Sequence, residues 1–408
     1  PLPTPKGYLI EQAVTVSLEE CAPEPRPAPE PVLTLDAKPA RAFPRVGLGL
    51  ARHGFSLRAR EIDRLRALRP AHLRVDLKLA TPTWPDVLQR AAGEANAVGC
   101  PLELALRFGP EGRSEALAAA VEALKAPVAR VFLFQDGQPV IQPGPVRDAK
   151  AVLSAQLAGV PIGGGSDAHF EQLNIGQAGK DWDLVCWPAT PQVHQHDDLT
   201  IIENLEAIAS TVESARLFSG DRPLCVSPVT LLPRSGPGAP GEMGSAPDVD
   251  ERQWTLIGAA WTAGSLKRLA ESGVASATYY ETAGANGVMD RDPEPVYPLY
   301  HVLADVLELP GARVIPCRSG DPLSFDGLAL TANGRTRILL ANFGIEPRRV
   351  TVKPLPARVA LKRLNAATAP DATARPEAWR AAPGEAVAVE GGRLELDLGP
   401  WEVVRIDA

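Results

Sequence analysis

The sequence predicts an α/β fold, a (β/α)8 TIM barrel joined to an antiparallel β-sandwich, on three observations. From Arg45 to Gly311, short runs of strand composition alternate about eight times with stretches of helical periodicity, the number of units in a closed parallel barrel. No glycine-rich dinucleotide fingerprint follows the first strand, which argues against an open doubly wound sheet. Beyond Gly311 the pattern changes to short strand-like runs with turn residues between them.

The strands expected of the barrel are Arg45 to Leu50, His72 to Leu77, Leu102 to Phe108, Arg130 to Phe134, Pro161 to Gly165, Asp183 to Trp187, Leu224 to Ser227 and Ala275 to Tyr280. Helices fall between them. Ile62, Leu65 and Leu68 share one face of the first, and the second starts near Trp84 and stops at Gly99, a helix-terminating glycine. Further helical stretches run Ser114 to Lys125, Val146 to Leu157, Leu199 to Phe218, Glu251 to Ser272 and His301 to Leu309. The sandwich is expected from Leu328 to Thr331, Arg337 to Asn342, Arg349 to Val352, Arg393 to Leu398 and Val403 to Ile406. Tyr8 to Ile10 and Val14 to Leu18 are further strand-like runs. The division is therefore residues 1–44 as N-terminal strands joining the sandwich, 45–311 as the barrel and 312–408 as the C-terminal sandwich.

With 408 residues the chain exceeds what one hydrophobic core usually serves, which suits two units. A net charge of -7 without a Lys/Arg stripe excludes nucleic acid as a partner, and no apolar run is long enough to span a membrane. Five widely spaced cysteines suggest neither a disulfide framework nor a zinc cluster. With no signal-peptide pattern at the start, the reading is a cytoplasmic protein.

Catalytic groups of such a barrel cluster at the C-terminal ends of its strands. Glu281 ends the eighth, after two tyrosines, and a phenol such as that of Tyr280 can orient a carboxylate for nucleophilic or base work. A rim ion pair with an arginine is the plainer alternative. The run Gly163 to Asn174 brings Asp167, His169, Glu171, Gln172 and Asn174 into one loop, unless it is a polar turn in which Asp167 caps a short helix. Glu171 and Glu281, on strands three apart, have the layout of paired-carboxylate sugar chemistry. Arg74 and Asp76 end the second strand. His194 follows the sixth strand as a substrate-hydroxyl contact, and with His196 it is a weak metal candidate. Trp187 is either a platform for a sugar face or core packing. No G-x-S-x-G elbow supports a serine nucleophile.

These residues carry a family resemblance. The runs Arg45 to Leu50, Gly163 to Asn174, Pro191 to His194, Val226 to Leu231, Gly258 to Thr262, Thr278 to Thr282 and His301 to Asp305 resemble those of the D-apionate lactonases. That family is similar in architecture to barrel-type glycoside hydrolases with a C-terminal β-sandwich. The resemblance implies hydrolysis of D-apionolactone to D-apionate, a small-molecule sugar substrate and no organic cofactor, with Glu281, Asp167, Asn174 and His194 matching the family pattern. One position departs from it: the family has a Glu directly before Leu-Asn, whereas here Gln172 precedes Leu173 and Asn174, and the carboxylate is at Glu171. The alternatives are a glycosidase using Glu281 and Glu171, and a non-catalytic sugar-binding barrel in which Gln172 marks the lost acid.

Overall fold

Eight strands, Arg45–Gly49 (β1), Leu73–Lys78 (β2), Leu102–Phe108 (β3), Val128–Gln135 (β4), Ile162–Gly165 (β5), Val185–Ala189 (β6), Leu224–Val229 (β7) and Ser276–Glu281 (β8), pair in chain order, and β8 closes on β1. Every pairing in the ring is parallel. The computed structural model describes residues 7, 11–17, 30–109, 113–177, 179–234, 249–291 and 294–408.

Helices follow each strand: Ala59–Leu68 (α1), Trp84–Val98 (α2), Arg113–Glu122 (α3), Pro143–Ser154 (α4), Phe170–Gly176 (α5), Asp198–Ser219 (α6), Leu256–Ser272 (α7) and Pro298–Leu307 (α8). Their ends follow local chemistry. Gly99 closes α2 in the left-handed conformation that costs glycine nothing (φ 86°). Asp197 starts α6 by accepting from the Thr200 N–H at 3.0 Å, supplying one of the bonds a helix start lacks. The single helix expected over Glu251 to Ser272 is instead a 3-10 turn, Glu251–Trp254, and α7. Thr255 is extended between them (φ -120°, ψ 177°), and the Asp250 carboxylate caps the turn by accepting from the Arg252 N–H at 3.0 Å.

The period of two along each strand turns alternate residues into the barrel. Ala105, Phe132, Phe134, Leu184, Cys186 and Cys225 form an apolar cluster. On the same strand face as Ala105, Phe132 and Phe134 lie Glu103 and Arg130, and these two, with His72 and Arg74, are all buried. Glu103 accepts from Arg130, Ser227 and Thr278, and His72 Nε2 lies 3.2 Å from its carboxylate. Burial pushes the His72 imidazole down to about 4 and keeps it neutral. Burial acts to raise the Glu103 carboxyl, but His72, Arg130 and Arg74 outweigh it and hold it below the usual range.

The remaining strands build two sheets. One has four strands, in the order Cys317–Ser319, Val32–Leu35, Arg348–Lys353, Leu394–Leu398. The other has seven, in the order Glu385–Ala388, Arg358–Leu364, Val403–Asp407, Arg335–Asn342, Phe325–Ala332, Arg313–Ile315, Arg41–Ala42. Ile338, Leu340, Val404 and Ile406 of the larger sheet share a core with Leu33, Val350 and Val352 of the smaller. The alternate residues Leu328, Leu330, Leu339 and Val403 belong to the barrel's core cluster. Both faces of that sheet are therefore apolar, one toward each neighbour.

Residues 1–30 are a separate unit. In it, 11–17 carry no regular secondary structure, and Val14 and Val16 are exposed, against the strand expected from Val14; Leu18 and the run Tyr8 to Ile10 lie outside the described residues. The N-terminal strands that join the sheets are Val32–Leu35 and Arg41–Ala42. The strand Arg358–Leu364 was not expected, because Lys362 and Arg363 interrupt its apolar alternation. Lys362 extends its ammonium to the carbonyls of Trp379 and Ala382, keeping its stem against the sheet.

Candidate active site

The end of β8 sets the geometry of the mouth. Tyr280 holds a left-handed backbone (φ 42°), and the pairing of β8 with β1 slips between Tyr279 and Glu281. Neighbouring side chains of a regular strand face opposite sides. Here both phenols reach α7, Tyr279 to the Ser265 hydroxyl at 2.9 Å and Tyr280 to that of Thr262 at 2.8 Å. Such a bulge, with an unfavourable φ, re-aims the residue that follows. Glu281 is that residue.

Gly49 of β1 makes the bulge possible, since a Cβ there would sit 2.6 Å from the Tyr280 carbonyl oxygen. The carboxylate of Glu281 is 6% exposed and pairs with Arg52, whose Nε donates to Oε1 at 2.6 Å and whose backbone N–H donates to Oε2 at 3.1 Å. The Ala51 N–H donates to Thr282 Oγ1 at 3.2 Å, fastening the loop after β1 to the end of β8.

Beside this pair opens a cleft of about 570 Å³. Arg52, Arg74, Lys78, Arg107 and Arg234 line it, together with Asp76, Asp136 and Asp167. The guanidinium groups of Arg74 and Arg107 each lie 5.9 Å from the ring centre of Phe134. Asp76 pairs with Arg74 at 2.7 Å and Arg234 at 3.0 Å. Withdrawal from water acts to raise the Asp76 carboxyl, but these two guanidinium groups hold it well below the carboxylate range. Arg74 also donates to the Ser227 carbonyl at 2.8 Å, tying the mouth to the buried charges beneath it. Arg107 pairs with Asp167, and lies 3.5 Å from Asp136. Burial lowers the basicity of Arg234, and its Nε has no hydrogen-bond partner among the described residues. A pocket of about 20 Å³ holds Glu281, lined also by Asp250, Gln253 and Asn286.

Of the residues expected from sequence, Asp76, Arg74 and Asp167 line this cleft and Glu281 lines the small pocket beside it. Others do not. Tyr280 is buried with its hydroxyl on α7, so neither it nor Tyr279 orients the carboxylate. Trp187 is fully buried against Phe170, with ring centres 5.5 Å apart, and presents no face to a sugar. The run after Gly165 turns into the helix α5 rather than staying a loop, with His169 instead of Asp167 at its N-cap position and the Glu171 and Asn174 side chains exposed. Glu171 is not among the residues lining the cleft, so the pairing of Glu171 with Glu281 does not form there. Gln172 is half-buried, its Oε1 enclosed and without a partner among the described residues. Gly163 and Gly165 serve packing: a Cβ on either would overlap a carbonyl, of Leu184 or of Cys186. His194 is exposed, while His196 Nδ1 lies 3.2 Å from Gln192 Oε1. Among the described residues, no three His, Cys, Asp or Glu side chains come together to hold a metal ion.

Arg52, Arg107 and Arg234 escaped the sequence reading. Arg107 left a signal: with Glu103 it interrupts an apolar strand at even spacing, which puts both on the inner face. Arg52 and Arg234 lie in loops, where spacing carries no such information.

Residues 46–311 match the model of the D-apionate lactonase TIM barrel domain, and residues 322–406 that of the D-apionate lactonase C-terminal immunoglobulin-like domain. The chain belongs to the D-apionate lactonase family. A D-apionate lactonase of Brucella anthropi is 33% identical over 94 residues, 23% of this chain and 15% of that protein. The match thus spans well under two thirds of the length of that relative.

Solved structures share the architecture of this D-apionate lactonase family member at low identity. The family 51 α-L-arabinofuranosidase AbfB of Bifidobacterium longum superposes with a TM-score of 0.67 at 13% identity, covering 93% of this chain and 99% of that one. A GH30 endoxylanase of Clostridium papyrosolvens gives 0.63 at 10%, covering 92% and 99%. At such identity the likeness concerns the fold. Among the described residues no helix is long and apolar enough to cross a membrane.

Proposed function

We propose that the chain hydrolyses a sugar lactone, D-apionolactone to D-apionate, with Glu281 as the base or nucleophile. The observation that carries this reading is the position of Glu281, a nearly enclosed carboxylate aimed by a strained bulge into the mouth of the barrel beside an open cleft. Family membership supports the substrate class.

Acting as base, Glu281 takes a proton from water as the water oxygen attacks the lactone carbonyl carbon. The tetrahedral oxyanion then collapses, the bond to the ring oxygen breaks, and that oxygen leaves as a hydroxyl with the proton returned to it. Acting as nucleophile, Glu281 attacks the carbonyl carbon, the bond to the ring oxygen breaks and that oxygen takes a proton from water; the hydroxide left then opens the anhydride, freeing the sugar acid and returning Glu281 as a carboxylate. In both routes the arginines supply the positive charge that a developing oxyanion needs. Asp167, bound to Arg107, suits a fixed negative charge better than a proton donor, so the oxyanion contacts fall to the cleft arginines.

The test is proton release from D-apionolactone at neutral pH, comparing the native chain with Glu281→Gln. General base catalysis contributes about 10²- to 10⁴-fold, and a loss of that size is expected. Turnover unchanged in Glu281→Gln would remove this residue from the chemistry. No turnover in the native chain would overturn the lactonase reading and direct the search to a glycoside panel.

A further inference from the structure

We infer that Arg52 and Arg234 form a carboxylate-binding subsite, the junction at which the cleft meets the pocket of Glu281, and that its ligand is an open-chain sugar acid. The identity of that acid rests on the lactonase reading; the subsite itself does not. Among the described residues, Arg52 and Arg234 alone line both the 570 Å³ cleft and the small pocket that contains Glu281. A ligand occupying the cleft and reaching toward Glu281 passes these two guanidinium groups first.

Both have donors to spare. Arg52 is 49% exposed and spends its Nε and backbone N–H on Glu281. Arg234 is 13% exposed, reaches Asp76 through Nη2 and leaves Nε without a partner among the described residues. A buried guanidinium donor without an acceptor is costly, and a planar carboxylate is the group whose two oxygens match its fork. The charge balance agrees. The cleft is lined by five cationic side chains against three carboxylates, in a chain of net charge -7, so a positive cleft sits in an acidic protein. A field of that sign draws in anions and does nothing for a neutral sugar.

Hydrolysis of a lactone produces the matching group where the ester carbonyl stood. The subsite then holds the product by its new carboxylate, and the free acid competes with the lactone.

Calorimetric titration of the full chain with D-ribonate, and with the neutral alditol ribitol, tests this at neutral pH and low salt. D-Ribonate is expected to bind roughly tenfold or more tightly than ribitol, a margin that shrinks as salt is added. Arg52→Gln should cost roughly tenfold in ribonate affinity and leave ribitol unchanged, and Arg52→Lys should recover part of the loss. Arg234→Gln, checked for a native melting profile, should act in the same direction. Equal binding of acid and alditol, no detectable ribonate binding, or unchanged ribonate affinity in Arg52→Gln would each overturn the subsite. Lactone turnover separates this from the broader reading: acid binding that depends on Arg52 without turnover keeps the subsite and removes the lactonase, and turnover without such binding does the reverse.

Discussion

Gly49→Ala is the substitution that most directly couples the backbone of this barrel to its chemistry. The new Cβ would stand 2.6 Å from the Tyr280 carbonyl oxygen, about 0.8 Å inside the 3.4 Å at which ordinary contact begins. The obstacle is backbone, so no side chain can swing aside. Tyr280 already occupies a left-handed conformation and has little room to adjust. The shift passes to Glu281 and to the Arg52 that grips it. Overpacking of this kind costs about 1–3 kcal/mol in stability. A misplacement of about 1 Å at a reacting group can cost on the order of 10²-fold in rate. We expect Gly49→Ala to lose about 10- to 100-fold in kcat for the lactone while keeping a single urea transition.

Gly264→Ala on α7 is the control, because its Cβ meets side chains of Leu205 and Phe343 rather than backbone. It should cost stability and spare kcat to within about threefold. Full kcat in a natively folded Gly49→Ala, or an equal loss in Gly264→Ala, would refute the claim that the bulge positions Glu281.

Three further outcomes are expected. Burial raises the Glu94 carboxyl to about 7 against the pull of Arg90, while the unfolded chain ionises near 4.5, so its contribution is complete below 4.5 and is lost as pH rises through 7. Glu94→Gln should therefore gain stability relative to the native chain between pH 5 and pH 8, by at most about 3 kcal/mol, and a difference that stays flat with pH in urea melts would contradict this. Trp187→Phe should lose about 1–3 kcal/mol and leave the lactone KM unchanged, because the indole is core; a raised KM at native stability would make it a substrate contact. Gln172→Glu should lower stability by about 1–3 kcal/mol, since the enclosed oxygen lacks a donor among the described residues, and leave kcat within about threefold, since Gln172 lines neither the cleft nor the pocket of Glu281. Titration of lactone hydrolysis and melting of the variant check both, and a gain in kcat of about tenfold would put the position into the chemistry.

Much of the barrel was readable because its strands are apolar runs of the right length and its helices carry their own end signals, such as the stop at Gly99. Glu281 was legible for the same reason, as an ionisable group ending an apolar strand. The reason given for its orientation was wrong: the two tyrosines look like its partners in sequence, yet a left-handed residue sends both phenols outward to α7. Trp187 shows the converse, an aromatic at a strand end that packing claims first. The α5 segment reads as a loop, with a short helix as the alternative, because three glycines in a row hide the point where a strand gives way to a helix; the helix forms, with His169 rather than Asp167 at its N-cap position. The arginines of the cleft were invisible for a different reason. Arg52 and Arg234 come from loops more than a hundred residues apart, and only closure of the ring brings them to one cavity.

The seven-stranded sheet has a consequence for how this chain can be divided. Leu328, Leu330, Leu339 and Val403 are claimed by the barrel's core, while their neighbours Ile338, Leu340, Val404 and Ile406 are claimed by the smaller sheet. Cutting the chain after Gly311 would strip an oily wall from the barrel and leave a sticky surface in its place. The two architectures are thus expected to melt as one cooperative body, and neither is a module that can be exchanged between proteins without bringing along the helices, or the sheet, that cover it.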